Sequence, residues 1–261
     1  MPEFITVGKG PQARNIAVEY RPGRGPCLVW LGGFMSDMRG SKAEAVDAFA
    51  AEHGRACLRF DYSGHGESEG NFEDGTISRW CEEALAVIDV HAGKAPVLIG
   101  SSMGGWIALL VTRHLRVHDR ARAPSGLVLI APAPDFTERL MWPSFDEATR
   151  SAILNEGKVV IPSEYDESGY PITRGLIEDG RNNLIMDAPI LTGCPVHILQ
   201  GMLDADVPWQ HALAAMERMP ADSVAMTLIK DGDHRLSREE DIARLLQIIA
   251  GLEPGGPDAQ R

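Results

Sequence analysis

Val97-Leu98-Ile99-Gly100-Ser101-Ser102-Met103-Gly104-Gly105-Trp106-Ile107 reads as an apolar run, a cluster of small residues and the opening of an amphipathic stretch. Strand, tight turn and helix in that order make Gly100-x-Ser102-x-Gly104 an elbow with Ser102 at its apex. Glycines stand where a side chain would crowd the turn. The bland alternative is a glycine-rich turn whose serine caps a helix. The Val and Leu residues before the motif and Trp106 to Leu110 after it favour an exposed nucleophile.

Outward from this elbow, strand-like runs alternate with amphipathic ones, the rhythm of a largely parallel sheet covered on both faces. Strands are expected at Cys27 to Leu31, Ala56 to Phe60, Val97 to Ile99, Gly126 to Ala131, Val196 to Gln200 and Ala225 to Ile229. A hairpin of Ile5 to Val7 with Ile16 to Tyr20 makes eight. Helices are expected at Arg39 to His53, Ile77 to His91, Met103 to Arg116, Pro208 to Met219 and Arg238 to Gly251. Between Pro134 and Pro189 the rhythm breaks into a helix (Asp146 to Glu156), an extended excursion (Lys158 to Tyr170) and a second helix (Thr173 to Met186). That segment suits a small lid inserted over the site. The expected division is a core of residues 1–134 and 190–252, a lid of 135–189, and a fraying tail of 253–261.

Over 261 residues, 44% are hydrophobic and 24% charged, enough for a sizeable core. Subtracting 37 acidic from 25 basic side chains gives −12, which argues against nucleic acid and anionic membrane surfaces as partners. No apolar run is long enough to span a bilayer. The opening Met-Pro-Glu-Phe-Ile-Thr-Val resembles neither a signal nor a transit peptide, so the expected location is cytoplasmic. Cys27, Cys57, Cys81 and Cys194 are too scattered for a metal site and read as reduced and mostly buried.

A serine hydroxyl needs a base, and the base an orienting acid, in the chain order Ser, Asp, His for this sheet type. Gly201-Met202-Leu203-Asp204-Ala205-Asp206-Val207-Pro208 follows one late strand, and Lys230-Asp231-Gly232-Asp233-His234 follows the next. The Gly-x-x-Asp-x-x-Val-Pro frame favours Asp204 as the orienting acid, and Asp206 suits the cap of a helix starting near Pro208. His234 is the expected base. Its rival His65, in Asp61-Tyr62-Ser63-Gly64-His65-Gly66, comes too early in the chain and reads as structural. His114 and His118 lie one helical turn apart but lack a third ligand, which favours a solvated helix end over a metal pair. Oxyanion donors are expected from the N–H of Met103 and the N–H of Phe34, the latter where Gly32-Gly33 lets the chain bend.

Taken together, Gly32-Gly33-Phe34, Asp61 to Gly66, Gly100 to Gly104, Asp204 and His234 resemble the α/β-hydrolase superfamily along nearly the whole chain. More closely, the chain resembles the mitochondrial palmitoyl-protein thioesterase and acyl-glucuronide esterase branch. The matching stretches are Arg59 to Gly64, Gly100 to Ser102 with Gly104 to Trp106, Gly201-Met202 with Asp204, Val207 to Trp209, and Asp233 to Arg235, with Pro162-Ser163 and Tyr165 in the lid. The resemblance implies an eight-stranded α/β-hydrolase fold, with Ser102 as nucleophile, Asp204 as orienting acid and His234 as base. It also implies cleavage of S-linked acyl groups or acyl-glucuronide esters, and two-step acyl transfer through Ser102 needs no metal or organic cofactor. Expected substrates are small-molecule esters or thioesters, or an S-acylated protein. Rival readings are a carboxylesterase, an amidase or peptidase on the same fold, or a binding protein that kept the fold alone. Met141, Trp142, Phe145 and Tyr165 are candidates for an acyl pocket, although such side chains at helical spacing more often simply pack.

Overall fold

Successive side chains along a strand point to opposite faces, and in the central strands both sets are apolar, so each face needs a cover. In the computed structural model, which describes residues 2–162 and 169–252, the strands are β1 (Glu3–Val7), β2 (Arg14–Arg21), β3 (Arg24–Leu31), β4 (Arg55–Phe60), β5 (Val97–Ser101), β6 (Gly126–Ile130), β7 (Lys158–Ile161), β8 (Tyr170–Thr173), β9 (Val196–Gly201) and β10 (Val224–Ile229). Eight form one sheet in the order β1-β2-β4-β3-β5-β6-β9-β10. Strand β2 runs antiparallel to both of its neighbours, and every pairing from β4 to β10 is parallel. The expected hairpin is present, with Ile5 opposite Ile16.

The helices are α1 (Ser41–Glu52), α2 (Ile77–His91), α3 (Met103–His118), α4 (Trp142–Ser144), α5 (Glu147–Glu156), α6 (Arg174–Asn182), α7 (Trp209–Glu217) and α8 (Glu239–Gly251). Alternation sorts the core into two layers. Leu28, Trp30, Ile99, Val128 and Ile130 pack with Val46 and Phe49 of α1 and Leu245 and Ile249 of α8. Val29, Leu31, Leu98, Leu127 and Leu129 pack on the other face with α2, α3 and α7. Burying each such side chain stabilises the fold by about 1.5–3 kcal/mol before conformational entropy is counted.

The chain between β6 and β9 builds a small layer of its own. A π-helical stretch, Thr137–Met141, leads into α4, and β7 pairs antiparallel with β8. Ile153, Ile172 and Ile177 form its apolar centre, against which Phe34, Met141 and Phe145 pack. The fully buried Asp135 accepts from Ile185 N–H and Met186 N–H, both at 2.9 Å, and so joins the start of this segment to its return. The expected extended excursion is thus two paired strands at its ends, and the expected second helix stops at Asn182. Ser163, Tyr165 and the tail 253–261 lie outside the described residues. All four cysteines are free, Cys81 only partly buried.

Candidate active site

Parallel strands bring their carboxyl ends to one edge of the sheet, and loops leaving that edge converge. Ser102 leaves β5, the Gly32-Gly33-Phe34 turn leaves β3, Asp204 leaves β9 and His234 leaves β10. Ser102 has φ 53° and ψ −117°, a conformation that a serine rarely adopts. Its N–H donates to the Ile130 carbonyl at 2.8 Å, and its own carbonyl accepts from Gly105 N–H and Ala133 N–H at 2.9 and 3.1 Å. The elbow is therefore held from both sides, which is how local strain persists. The glycines have a steric cause. A Cβ on Gly104 would run into the Leu31 and Gly32 carbonyl oxygens, and one on Gly100 would approach the Gly105 Cα to 2.8 Å.

The Ser102 hydroxyl donates to His234 Nε2 at 3.1 Å, and His234 Nδ1–H donates to Asp204 Oδ2 at 2.8 Å. A carboxylate at Nδ1 sets the tautomer and leaves Nε2 as an acceptor facing the hydroxyl. The Asp204 side chain is wholly buried and fully used. Its Oδ1 accepts from Asp206 N–H (3.0 Å) and Val207 N–H (2.8 Å), and its Oδ2 also accepts from Gln200 Nε2 (3.0 Å). Asp206 is exposed at the cavity wall, two residues short of Pro208, which holds the N-cap position of α7. Asp204, Asp206 and His234 could offer ligand atoms within 4.8 Å of one another. The hydrogen bonds already on Asp204 and His234 fit a proton relay better than a metal.

Met103 opens α3 directly after Ser102, where a first-turn N–H has no partner within its own helix. Gly33 abuts the nucleophile: a Cβ there would lie 3.5 Å from Ser102 Cβ. Phe34 and Met103 both line the same cavity of about 700 Å³ as Ser102 and His234. One wall of that cavity is apolar, from Phe136, Leu140, Met141, Phe145, Ile161 and Tyr170. The lining also includes Ser36, Asp37, Lys42, Asp206 and Arg235. Burial pushes the Lys42 ammonium down to about 8, and its Nζ donates to the Arg235 carbonyl beside His234. Of the candidate acyl-pocket residues, Met141 and Phe145 face the cavity. Trp142 packs under the Arg150 and Arg181 guanidinium groups.

The loop that carries Phe34 has supports whose purpose the sequence did not reveal. Asp61 accepts from Met38 N–H at 2.7 Å and from Glu67 N–H at 2.8 Å, and Arg59 Nη1 donates to the Met38 carbonyl at 2.9 Å. The signal was present in Arg59 to Gly66, but only the fold aims it at the turn after β3. His65 is buried and takes no part in the Ser102–His234–Asp204 hydrogen bonds. His114 and His118 are exposed near the end of α3, their ring centroids 4.5 Å apart.

Comparison with known proteins identifies the family. Residues 28–247 match the model of the alpha/beta hydrolase family. The mitochondrial palmitoyl-protein thioesterase ABHD10 of Mus musculus is 34% identical over 239 residues, 91% of this chain and 78% of that protein. A crystal structure of a putative hydrolase from Agrobacterium vitis S4 superposes with a TM-score of 0.94 at 51% identity, covering 97% of this chain and 98% of that one. The structure of alpha/beta hydrolase domain-containing protein 10 from mouse gives a TM-score of 0.85 at 32% identity, with 96% and 98% covered.

Proposed function

Since the chain belongs to the alpha/beta hydrolase family, we propose that it is a serine hydrolase cleaving carboxylic ester or thioester bonds, of the acyl-protein thioesterase or acyl-glucuronide esterase type. The observation that carries this reading is the continuous hydrogen-bond chain from Ser102 through His234 to Asp204, opening on a cavity with one apolar wall. In the proposed reaction Ser102 Oγ attacks the acyl carbonyl while His234 Nε2 takes its proton, and Asp204 steadies the imidazolium. The N–H groups of Phe34 and Met103 hold the oxyanion, where one such donor typically contributes about 100- to 1,000-fold in rate. His234 gives the proton to the departing alcohol or thiol. Water, activated by the same nitrogen, then releases the acid from Ser102. In this reading Phe136, Met141 and Phe145 receive the acyl group, and Lys42 and Arg235 in the same lining are the groups proposed to meet the leaving group.

Two features support the thioesterase branch: the 34% identity to the mouse palmitoyl-protein thioesterase and the apolar wall built by the β6–β9 segment. The test is hydrolysis of an S-acylated cysteine peptide and its oxygen-ester analogue, each with a short and a long acyl chain. Preference for the long-chain thioester, lost in Ser102→Ala, is the expected result. Preference for short oxygen esters would make the protein a carboxylesterase. No cleavage of any substrate would favour a binding protein.

A further inference from the structure

After β3 the chain turns through Gly33, Phe34, Met35 and Ser36. Ser36 N–H donates to the Gly33 carbonyl at 3.2 Å, and Ser36 Oγ donates to the same oxygen at 2.8 Å. The turn's own bond thus uses Gly33 and Ser36 and leaves the Phe34 N–H, at its second position, out of the ring. Met35, at the third position, has φ 57°. That region is sparsely populated by residues other than glycine and persists only where the surroundings over-determine it.

A buried imidazole supplies that constraint. Met35 N–H donates to His65 Nε2 at 3.2 Å, and His65 Nδ1–H donates to the Ser63 carbonyl at 3.2 Å. Nε2 can accept because Nδ1 carries the proton, so the ring is neutral and its tautomer is set. His65 is 5% exposed, and its ring packs against Tyr62, Phe72 and Trp80 at centroid distances of 5.8, 5.1 and 5.3 Å. Burial pushes its pKa down to about 4, so the accepting form prevails at neutral pH.

We propose that His65 is a positioning residue for the oxyanion hole: by accepting the Met35 N–H it holds the left-handed turn that aims the Phe34 N–H at the reacting oxygen. The inference rests on the reading of Ser102 as nucleophile and of the Phe34 N–H as donor. Without the acceptor, Met35 relaxes toward the negative φ it otherwise prefers, the Gly33-to-Ser36 turn shifts with it, and the Gly33–Phe34 peptide that carries the Phe34 N–H loses its aim. A displaced donor weakens binding of the developing oxyanion and leaves the ground state little changed, so the loss falls on kcat.

Three variants separate this role from packing. His65→Phe keeps a ring against Tyr62, Phe72 and Trp80 but offers no acceptor. His65→Gln reaches the Nε2 position with an amide oxygen. His65→Asn reaches only the Nδ1 position. Each is measured for kcat and KM on a p-nitrophenyl ester, for affinity toward a trifluoromethyl ketone that forms a tetrahedral oxyanion on the serine, and for thermal unfolding. The Phe and Asn variants are expected to lose at least tenfold in kcat with KM within threefold, and ketone affinity should fall in parallel. The Gln variant should stay within threefold of wild type. If the Phe variant does not fold, the contrast between Asn and Gln decides. Equal kcat for Asn and Gln, or a loss confined to KM, would overturn the proposal. Absence of ester hydrolysis by the wild type, or full activity of Ser102→Ala, would instead strike the reading beneath it.

Discussion

Replacing Asp204 with Asn changes one atom and asks whether the His234 tautomer governs the reaction. The native carboxylate accepts at both oxygens: from Asp206 N–H and Val207 N–H at Oδ1, and from Gln200 Nε2 and His234 Nδ1 at Oδ2. An amide has one oxygen, so its NH2 must face one pair of donors. The two backbone N–H groups cannot turn away. Gln200 is also held, because its Nε2 donates to the Gly201 and Val207 carbonyls at 3.1 Å each. Only His234 can adapt, by moving its proton to Nε2, and it then presents a donor to Ser102 Oγ where an acceptor is needed. Loss of the correct tautomer in such a triad lowers kcat by about 10⁴-fold, which at 1.36 kcal/mol per decade is about 5 kcal/mol of barrier. The remaining conflict with the Gln200 amide costs about 1–3 kcal/mol of stability. Steady-state hydrolysis of a fluorogenic ester and urea unfolding measure the two effects. A kcat within tenfold of wild type in a correctly folded Asp204→Asn protein would refute the reasoning.

Asp206→Asn should lower kcat far less than Asp204→Asn, because it removes a charge near His234 but keeps the Asp206 N–H that donates to Asp204. The ester assay applied to Asp204→Asn checks this. Gly104→Ala drives a Cβ into the Leu31 and Gly32 carbonyls. The expected result is a loss of at least about 2 kcal/mol, read by urea unfolding, because rigid backbone cannot yield to overpacking. Acidification should destabilise the fold through His65. Its folded pKa is depressed to about 4 from an ordinary 6.5, so the unfolded chain takes the proton first. The contribution is whole above about pH 6.5 and is lost as pH falls toward 4, amounting to at most about 3 kcal/mol. Burial lowers His197 and His211 as well, so His65→Phe should remove only part of the slope in unfolding free energy between pH 7 and 4.5.

The most legible parts of the molecule were those whose physics is local. Ser102 announces itself because strand, elbow and helix are contiguous and Gly100 is required by atoms of Gly104 and Gly105 a few residues on. Asp204 and His234 were legible as acid and imidazole after two late strands, since parallel strands send their carboxyl ends to one edge. What stayed hidden depends on partners distant in sequence. Nothing around Asp135 announces that it accepts from Ile185 and Met186 fifty residues later. Equally silent is Arg14, whose buried guanidinium pairs with the fully buried Glu83, which in turn accepts from Ser63 N–H at 2.8 Å. The β7–β8 pair escaped because Tyr170-Pro171-Ile172-Thr173 is four residues long and contains a proline, a weak strand signal until its partner is known. Trp142 reads as a pocket residue by type and position, yet two arginines claim its ring.

In the proposed mechanism the acyl group passes through Ser102. Rapid quenching of the reaction with a p-nitrophenyl ester, followed by intact mass and peptide mapping, tests it directly. One acyl adduct is expected, confined to the peptide containing Ser102, absent in Ser102→Ala and accumulating in a variant whose deacylation is slowed. An adduct on another residue, or hydrolysis at the wild-type rate by Ser102→Ala, would contradict it.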